Sequence, residues 1–126
     1  MADRVVHFEV TGPDGEALKR FYASIFGWSI DSSNPMNYGI VPAPEGGGIG
    51  GGVSGTQDGA PGYVTFYVAV DDPQATLDAI EAAGGRTVMP VTEIPGTVTL
   101  AQFQDPAGNM SESSSPEGLD GNVMPS

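Results

Sequence analysis

The amino-acid sequence predicts an α+β domain made of two similar halves that pack around a shared cavity. Three observations support this: an alternating apolar strand opens each half, an apolar-striped helix ending in glycine follows, and the pattern then repeats. The helix-ending glycines, Gly27 and Gly84, lie 57 residues apart, and His7 and Thr65 of the opening strands lie 58 apart. A fixed period of this kind indicates a duplicated unit. One unit alone would leave a sheet face uncovered, so the halves are expected to pack together.

The first half begins with a strand over Arg4–Val10, in which apolar and polar residues alternate. A helix is predicted next, because apolar residues recur at helical spacing from Leu18 to Phe26. Short strands are predicted over 28–30 and 37–41. Residues 45–55 are dominated by glycine and match neither the helical nor the strand pattern.

The second half restarts after the linker 58–62, whose sequence DGAPG is typical of a turn. An alternating strand is predicted over Tyr63–Val70, and an aspartate cap followed by Pro73 predicts the start of a helix that runs to Gly84. Further strands are predicted over Arg86–Met89, Thr97–Gln104 and Met110–Ser114.

These elements predict one domain, residues 1–114, built of two modules. The modules span 1–57 and 63–114, and the turn-rich residues 115–126 are predicted to form a loose C-terminal tail.

Alternation also assigns the strand residues to two faces. The residues predicted to face the helices are Val6, Phe8, Phe66 and Val68. Those predicted to line the shared cavity are His7, Glu9, Tyr63, Thr65 and Tyr67.

Composition excludes several classes of function. The formal net charge is −12, and the four basic residues are scattered, which disfavours partners such as nucleic acid and anionic membranes. There is no cysteine, so disulfides, thiolate metal sites and cysteine nucleophiles are excluded. No apolar run reaches transmembrane length and no secretory signal is evident, so a cytoplasmic protein is expected.

Six segments resemble motifs of one known family in order and spacing across residues 4–114. They are VVHFEV (5–10), FYASIFGW (21–28), YVTFYVAVDD (63–72), AAGG (82–85), MPVTEIPG (89–96) and DPAGN (105–109). The chain is similar through them to the glyoxalase/bleomycin-resistance/dioxygenase family, the vicinal oxygen chelate superfamily. The resemblance implies two βαβββ modules that form a cupped mixed sheet.

The resemblance also implies where a divalent metal would be held in metal-dependent members. His7 matches the histidine of the first opening strand and Glu112 the carboxylate of the last strand. The second histidine position falls on Thr65, and no carboxylate exists near Gly52–Ser54. Two of four ligand positions remain, so no cofactor is predicted beyond a weak divalent metal on His7 and Glu112.

The candidate catalytic residues are His7, whose pKa is ordinarily near neutral, and Glu112. Each has a simpler interpretation, as a hydrogen-bonded strand histidine and as a solvated glutamate in the polar run Ser111–Ser115. Candidate ligand-binding residues are Glu9, Thr65, Tyr67, Tyr63 and Phe103. His7, Tyr67 and Glu112 are expected to line one cavity, with Thr65 opposite His7.

The resemblance implies a glyoxalase-like isomerase or lyase acting on a small oxygen-bearing organic molecule. The alternative is a metal-free protein that binds or sequesters small molecules, of the bleomycin-resistance type. An extradiol dioxygenase is set aside, since its iron site uses two histidines and the chain has one. Members of the family commonly form homodimers, and open sheet edges invite pairing, so a homodimer is expected.

Overall fold

A computed structural model describes residues 2–93 and 99–115 of the chain as one seven-stranded sheet carrying two helices. The strands are β1 (Val5–Gly12), β2 (Gly39–Val41), β3 (Gly50–Gly55), β4 (Tyr63–Ala69), β5 (Arg86–Glu93), β6 (Thr99–Gln104) and β7 (Met110–Ser114). The helices are α1 (Gly15–Phe26) and α2 (Pro73–Ala82).

The strands lie in the order β2-β3-β1-β4-β7-β6-β5. Read outward from the β1–β4 pair, β4-β7-β6 repeats the arrangement of β1-β3-β2, and β5 is an additional strand at one edge. On one side β1 pairs in parallel with β3, and on the other β4 pairs in parallel with β7. The β1–β4 pair is antiparallel. The predicted α+β fold with a mixed sheet is confirmed, while the division into modules 1–57 and 63–114 stays a prediction.

The register of β1 against β4 fixes which residues meet at the centre of the sheet. Phe8 lies opposite Phe66, so an approximate twofold axis that relates positions 58 residues apart passes through this pair. Residues equivalent by the repeat therefore lie diagonally across the axis. In this register His7 pairs with Tyr67, and Thr65 pairs with Glu9.

A β-bulge changes the face of one predicted core residue. The β1–β4 register shifts between Val5 and His7, and the extra residue is Val6. Val6 consequently packs with Tyr67 and Leu100 on the sheet face that also carries His7 and Glu9, called the cup face below. Its predicted position on the face toward the helices was wrong. Phe8 keeps the predicted side, where its ring lies 5.2 Å from that of Trp28.

Both helices have the predicted positions, and α2 ends at Ala82, two residues before the predicted Gly84. The Asp14 carboxylate accepts a hydrogen bond from the Ala17 amide at the start of α1, and Asp72 does the same for Ala75 in α2. Gly27 ends α1 in the left-handed conformation, with φ of 71°. Neither helix is long and apolar enough to cross a membrane.

The main element that the sequence analysis missed is β3, which lies in the glycine-rich stretch. Its glycines leave room for rings that lie flat on the strand. A Cβ at Gly51 would come within 2.4 Å of the Phe8 ring, and one at Gly52 within 1.9 Å of the Tyr38 hydroxyl. The missing side chains of β3 are thus replaced by aromatic rings from neighbouring segments.

The remaining differences lie toward the two sheet edges. Residues 28–30 form no strand, and a single bridge joins Asp31 to Ile40 beside the three-residue β2. At the opposite edge, β5 is longer than predicted, contains Pro90, and pairs with β6 in a register that shifts twice. Residues 97 and 98 of the predicted sixth strand, and residues 116–126 of the predicted tail, lie outside the described part of the chain.

A test of β3 uses two glycine-to-alanine substitutions. Gly52→Ala is expected to lower the free energy of unfolding by roughly 1–3 kcal/mol, because its methyl group overlaps the Tyr38 side chain. Gly46→Ala is the control, since nothing lies within 4 Å of a Cβ there, and it should change stability by less than about 0.5 kcal/mol. Urea denaturation of both variants makes the comparison, and equal stabilities would contradict the packing of Tyr38 on β3.

Candidate active site

Glu9 of β1 lies at the centre of a buried polar cluster on the cup face of the sheet and accepts hydrogen bonds from its tyrosines. Its Oε1 accepts hydrogen bonds from the hydroxyls of Tyr38, at 3.0 Å, and Tyr67, at 2.8 Å. Its Oε2 accepts one from the Tyr63 hydroxyl at 2.8 Å. Three hydroxyl donors around one carboxyl group are the pattern expected for an ionised carboxylate, which accepts hydrogen bonds and donates none.

Tyr38 reaches this cluster from the loop before β2 and is held there by its backbone. The Asn34 side chain accepts a hydrogen bond from the Tyr38 amide at 2.9 Å and donates one to its carbonyl at 2.7 Å. The buried Lys19 ammonium donates to the carbonyl of the adjacent Asn37 at 2.8 Å. These contacts, with the space above Gly52, fix the Tyr38 ring over β3.

His7 is 3% exposed and lies between two tyrosines. Its Nε2 is 2.9 Å from the Tyr38 hydroxyl, and the Tyr67 ring meets its ring edge-on at a centroid distance of 5.2 Å. Because the Tyr38 hydroxyl donates to Glu9, the proton between His7 and Tyr38 belongs on Nε2. Burial lowers the pKa of His7 to about 4, so the imidazole is neutral at physiological pH.

Glu112 of β7 is the second carboxyl group of the cluster and is 1% exposed. It is the register partner of Tyr67, and its Oε1 lies 3.4 Å from the Gln102 amide nitrogen. Its Oε2 is buried and has no hydrogen-bond partner among the described residues. Burial, followed by the negative charge of Glu9, raises the pKa of Glu112 to about 8.

The three tyrosines act as fixed hydroxyl donors. Burial raises the pKa of Tyr38, Tyr63 and Tyr67, and the neighbouring Glu9 charge raises each of them further. All three phenols therefore stay protonated at physiological pH. The cluster combines a carboxyl group that accepts three hydroxyl hydrogen bonds, a neutral imidazole, and a second carboxyl group whose pKa is raised to about 8.

The structure brings most of the predicted site residues together, with one exception. Thr65 lies on the cup face opposite Glu9, and its hydroxyl donates to the Met110 carbonyl at 3.0 Å. Phe103 pairs with Ser111 and lies on the other face of the sheet from its neighbour Gln102, because successive strand residues alternate. Its role in ligand binding stays a prediction, at a position on the other face from the polar cluster.

Two residues of the cluster, Gln102 and Tyr38, were not placed there from the sequence, although Tyr38 is among the aromatic residues that could contact a ligand, and each left some signal. Gln102 could have been found from the alternation of β6, which places it beside Glu112. Tyr38 left a weaker signal, the run Gly50-Gly51-Gly52, because consecutive strand glycines mark close approach of another group.

The comparisons with known proteins agree with this architecture. The family model described as the Glyoxalase/Bleomycin resistance protein/Dioxygenase superfamily matches residues 4–112. The chain therefore belongs to that superfamily.

Among curated relatives, "Putative glyoxylase CFP32" of Mycobacterium bovis is 32% identical over 109 residues, covering 75% of this chain and 39% of that protein. The anthracycline biosynthesis protein DnrV of Streptomyces peucetius is 30% identical, with 80% of this chain and 42% of that protein covered. The chain thus spans well under half the length of these two relatives. A glyoxylase-like domain-containing protein of Didymella fabae is 31% identical, covering 80% of this chain and 84% of that protein.

Solved structures share the fold at lower identity. A methylmalonyl-CoA epimerase variant of Streptomyces coelicolor, in complex with 2-nitronate-propionyl-CoA, is 14% identical with a TM-score of 0.62. The alignment covers 91% of this chain and 95% of that one. A superfamily member from Vibrio splendidus is 18% identical with a TM-score of 0.61, covering 90% and 99%.

The donor set does not fit the divalent metal that the family implies. Both oxygens of Glu9 accept tyrosine hydroxyls, and Nε2 of His7 is hydrogen-bonded to Tyr38. Glu112 Oε2 is the one carboxylate oxygen of this cluster without a partner. Within residues 2–93 and 99–115 no three histidine, aspartate or glutamate side chains are grouped as metal ligands would be.

Proposed function

We propose that the chain is a glyoxalase-like isomerase or lyase that moves a proton on a carbon atom beside a carbonyl group. The observation that carries this proposal is the free Oε2 of Glu112, a buried carboxyl group whose pKa is raised to about 8. A general base is most effective when its pKa lies near the working pH. Glu112 and Glu9 are neighbouring carboxyl groups in different environments. Active sites often use such a pair in two different roles, and here Glu112 would react while Glu9 would not.

In the proposed reaction, the Glu112 carboxylate takes the proton from the carbon beside the carbonyl and becomes a neutral acid. The electron pair of the broken C–H bond forms the enolate of the substrate. Glu112 then delivers its proton to a neighbouring atom of the enolate, which gives an isomer, whereas return of the proton to the same carbon from the same side regenerates the substrate. Glu9 keeps its three tyrosine hydroxyl donors throughout, and its negative charge raises the pKa of Glu112 and so keeps that group basic.

Deuterium exchange tests this assignment. In D2O at pH 8, the protein is expected to speed exchange at the enolisable carbons of hydroxyacetone and ortho-hydroxyacetophenone, followed by proton NMR. Glu112→Gln should slow the catalysed exchange by about 10²- to 10⁴-fold, because the amide cannot take a proton. Glu93→Gln, at the exposed end of β5, is the control and should keep the wild-type rate. An unchanged rate in the Glu112 variant would rule out Glu112 as the base.

A second candidate function is binding without turnover, in the manner of a sequestering protein. The observation that favours it is that the hydroxyls of Tyr38, Tyr63 and Tyr67 are all committed to Glu9. These groups would line a rigid site and be unavailable to stabilise an enolate. Tight binding of a probe with no exchange above the buffer rate would favour this function.

We also propose that the chain forms a homodimer through the outer face of its central strands. Helix α1 packs on β1 and β3 and α2 on β5 and β6, which leaves Val64 and Phe66 of β4 73% and 43% exposed. An exposed apolar strip of this kind can be covered when two copies present it to each other about a twofold axis between them. Light scattering should give twice the chain mass, and Val64→Lys should reduce it to one chain. Glu93→Lys, outside the strip, is the control, and a monomeric wild type would refute the proposal.

A further inference from the structure

We infer that the cup accepts an uncharged, oxygen-bearing molecule with an apolar skeleton and rejects carboxylates and phosphate esters. This inference rests on the proposed function for the location of the site, and it adds the chemical class of the ligand. It concerns binding alone, so it can be tested apart from turnover.

The first argument is that no cation is available to an anion in the cup. The sequence has four basic residues, Arg4, Lys19, Arg20 and Arg86. Lys19 of α1 forms an ion pair with Glu16 and donates a hydrogen bond to the Asn37 carbonyl. The Arg86 guanidinium donates a hydrogen bond to the Gln104 side chain at the sheet edge. Arg4 and Arg20 are exposed. The buried His7 ring is neutral, and among residues 2–93 and 99–115 no lysine or arginine side chain is hydrogen-bonded or ion-paired to Glu9 or Glu112.

The second argument is the negative charge already present. Glu9 is 6% exposed and its carboxylate receives the hydroxyl protons of three tyrosines. Those protons point at Glu9 and cannot also be donated to a second anion. A carboxylate about 6 Å away would be repelled enough to weaken binding about 100-fold at the effective dielectric constant of protein sites.

The third argument is a pair of unsatisfied polar atoms on β7. Glu112 Oε2 and Ser114 Oγ are both buried without a hydrogen-bond partner among the described residues. The two residues alternate onto the same face and their Cα atoms are about 7 Å apart along the strand. One hydroxyl donor and one carboxyl group at this spacing suit a ligand that carries two oxygen atoms, such as a ketone and a hydroxyl.

The fourth argument is the apolar surface beside this pair. Ser114 lies in register with Leu100 on β6 and Ala69 on β4. Both belong to the apolar cluster that includes Val6 and Tyr67. A ligand whose oxygen atoms reach Ser114 and Glu112 therefore lays its carbon skeleton on these side chains.

The test compares two ligands of nearly equal shape. Ortho-hydroxyacetophenone is uncharged at pH 7, whereas salicylate has a carboxylate in place of the acetyl group. Dissociation constants from calorimetry with the wild-type chain are expected to favour the ketone by about 100-fold. Equal affinities, tighter binding of salicylate, or no binding of either ligand would overturn the inference.

Two serine variants locate the site. Ser114→Ala should weaken binding of the ketone by about 5- to 10-fold through loss of one hydrogen bond. Ser113→Ala is the matched control, because Ser113 is equally buried and unpartnered but faces the other side of β7, and it should leave the affinity unchanged. Equal effects of the two substitutions would place the ligand elsewhere. Should exchange survive in Glu112→Gln while the ketone preference holds, the proposed function fails and this inference stands.

Discussion

Replacing Glu112 by glutamine is expected to stabilise the folded protein at pH 9 by on the order of 4 kcal/mol, with little change at pH 4. A carboxyl group whose pKa rises from 4.5 to about 8 on folding must take up a proton or be buried as an anion above pH 4.5. The stability of the wild type therefore falls as the pH rises from 4.5 to 8. The amide does not titrate and is free of this cost.

Urea denaturation of the wild type and Glu112→Gln at pH 4, 7 and 9 measures the effect. The difference in free energy of unfolding should grow with pH through this window and level off above it. Glu93→Gln is the control at an exposed position of β5. A difference that does not change with pH would mean that Glu112 ionises normally in the folded chain.

Replacing Glu9 by alanine is expected to destabilise the protein by roughly 3–6 kcal/mol. The substitution leaves the hydroxyls of Tyr38, Tyr63 and Tyr67 without their acceptor in a buried cluster, and each lost partner costs about 1–3 kcal/mol. Part of this cost is offset, because Glu112 is relieved of the charge of its neighbour.

Glu93→Ala, at an exposed site, should change stability by less than about 0.5 kcal/mol and serves as the control for the loss of one negative charge. Thermal or urea denaturation at pH 7 compares the two variants. Similar stabilities would show that the tyrosine hydroxyls find other partners and that Glu9 does not organise the cluster.

Strand alternation and the 58-residue repeat were enough to predict the central part of this fold. The alternating residues of β1 and β4 placed His7, Glu9 and Tyr67 on one face, where the structure has them. Family resemblance added Glu112, which the register of β7 places beside Tyr67. Local pattern and repeat spacing thus specify the strands that provide both carboxyl groups of the candidate site.

The parts that could not be predicted depend on contacts between distant segments. Glycine has no side chain to show alternation, so the pairing of β3 with β1 is visible only once the rings of Phe8 and Tyr38 occupy its surface. The bulge at Val6 reverses the face of one residue without any local sequence signal. Tyr38 lies in a loop, and its place in the cluster is set by Asn34 and Asn37 and not by strand periodicity.

The two edges of the sheet bear on how the protein avoids uncontrolled polymerisation. Open sheet edges are one reason to expect a dimer, but the two edge strands of this sheet are irregular. The edge strand β2 has three residues, and the edge strand β5 contains Pro90 and pairs with β6 through two register shifts. Short, bulged or proline-containing edges resist strand addition from another chain. An assembly in which two copies are related by a twofold axis is complete after two copies. Edge-to-edge strand pairing, in contrast, can continue through any number of copies. The irregular edges therefore disfavour open-ended strand addition, which is compatible with the closed homodimer proposed above.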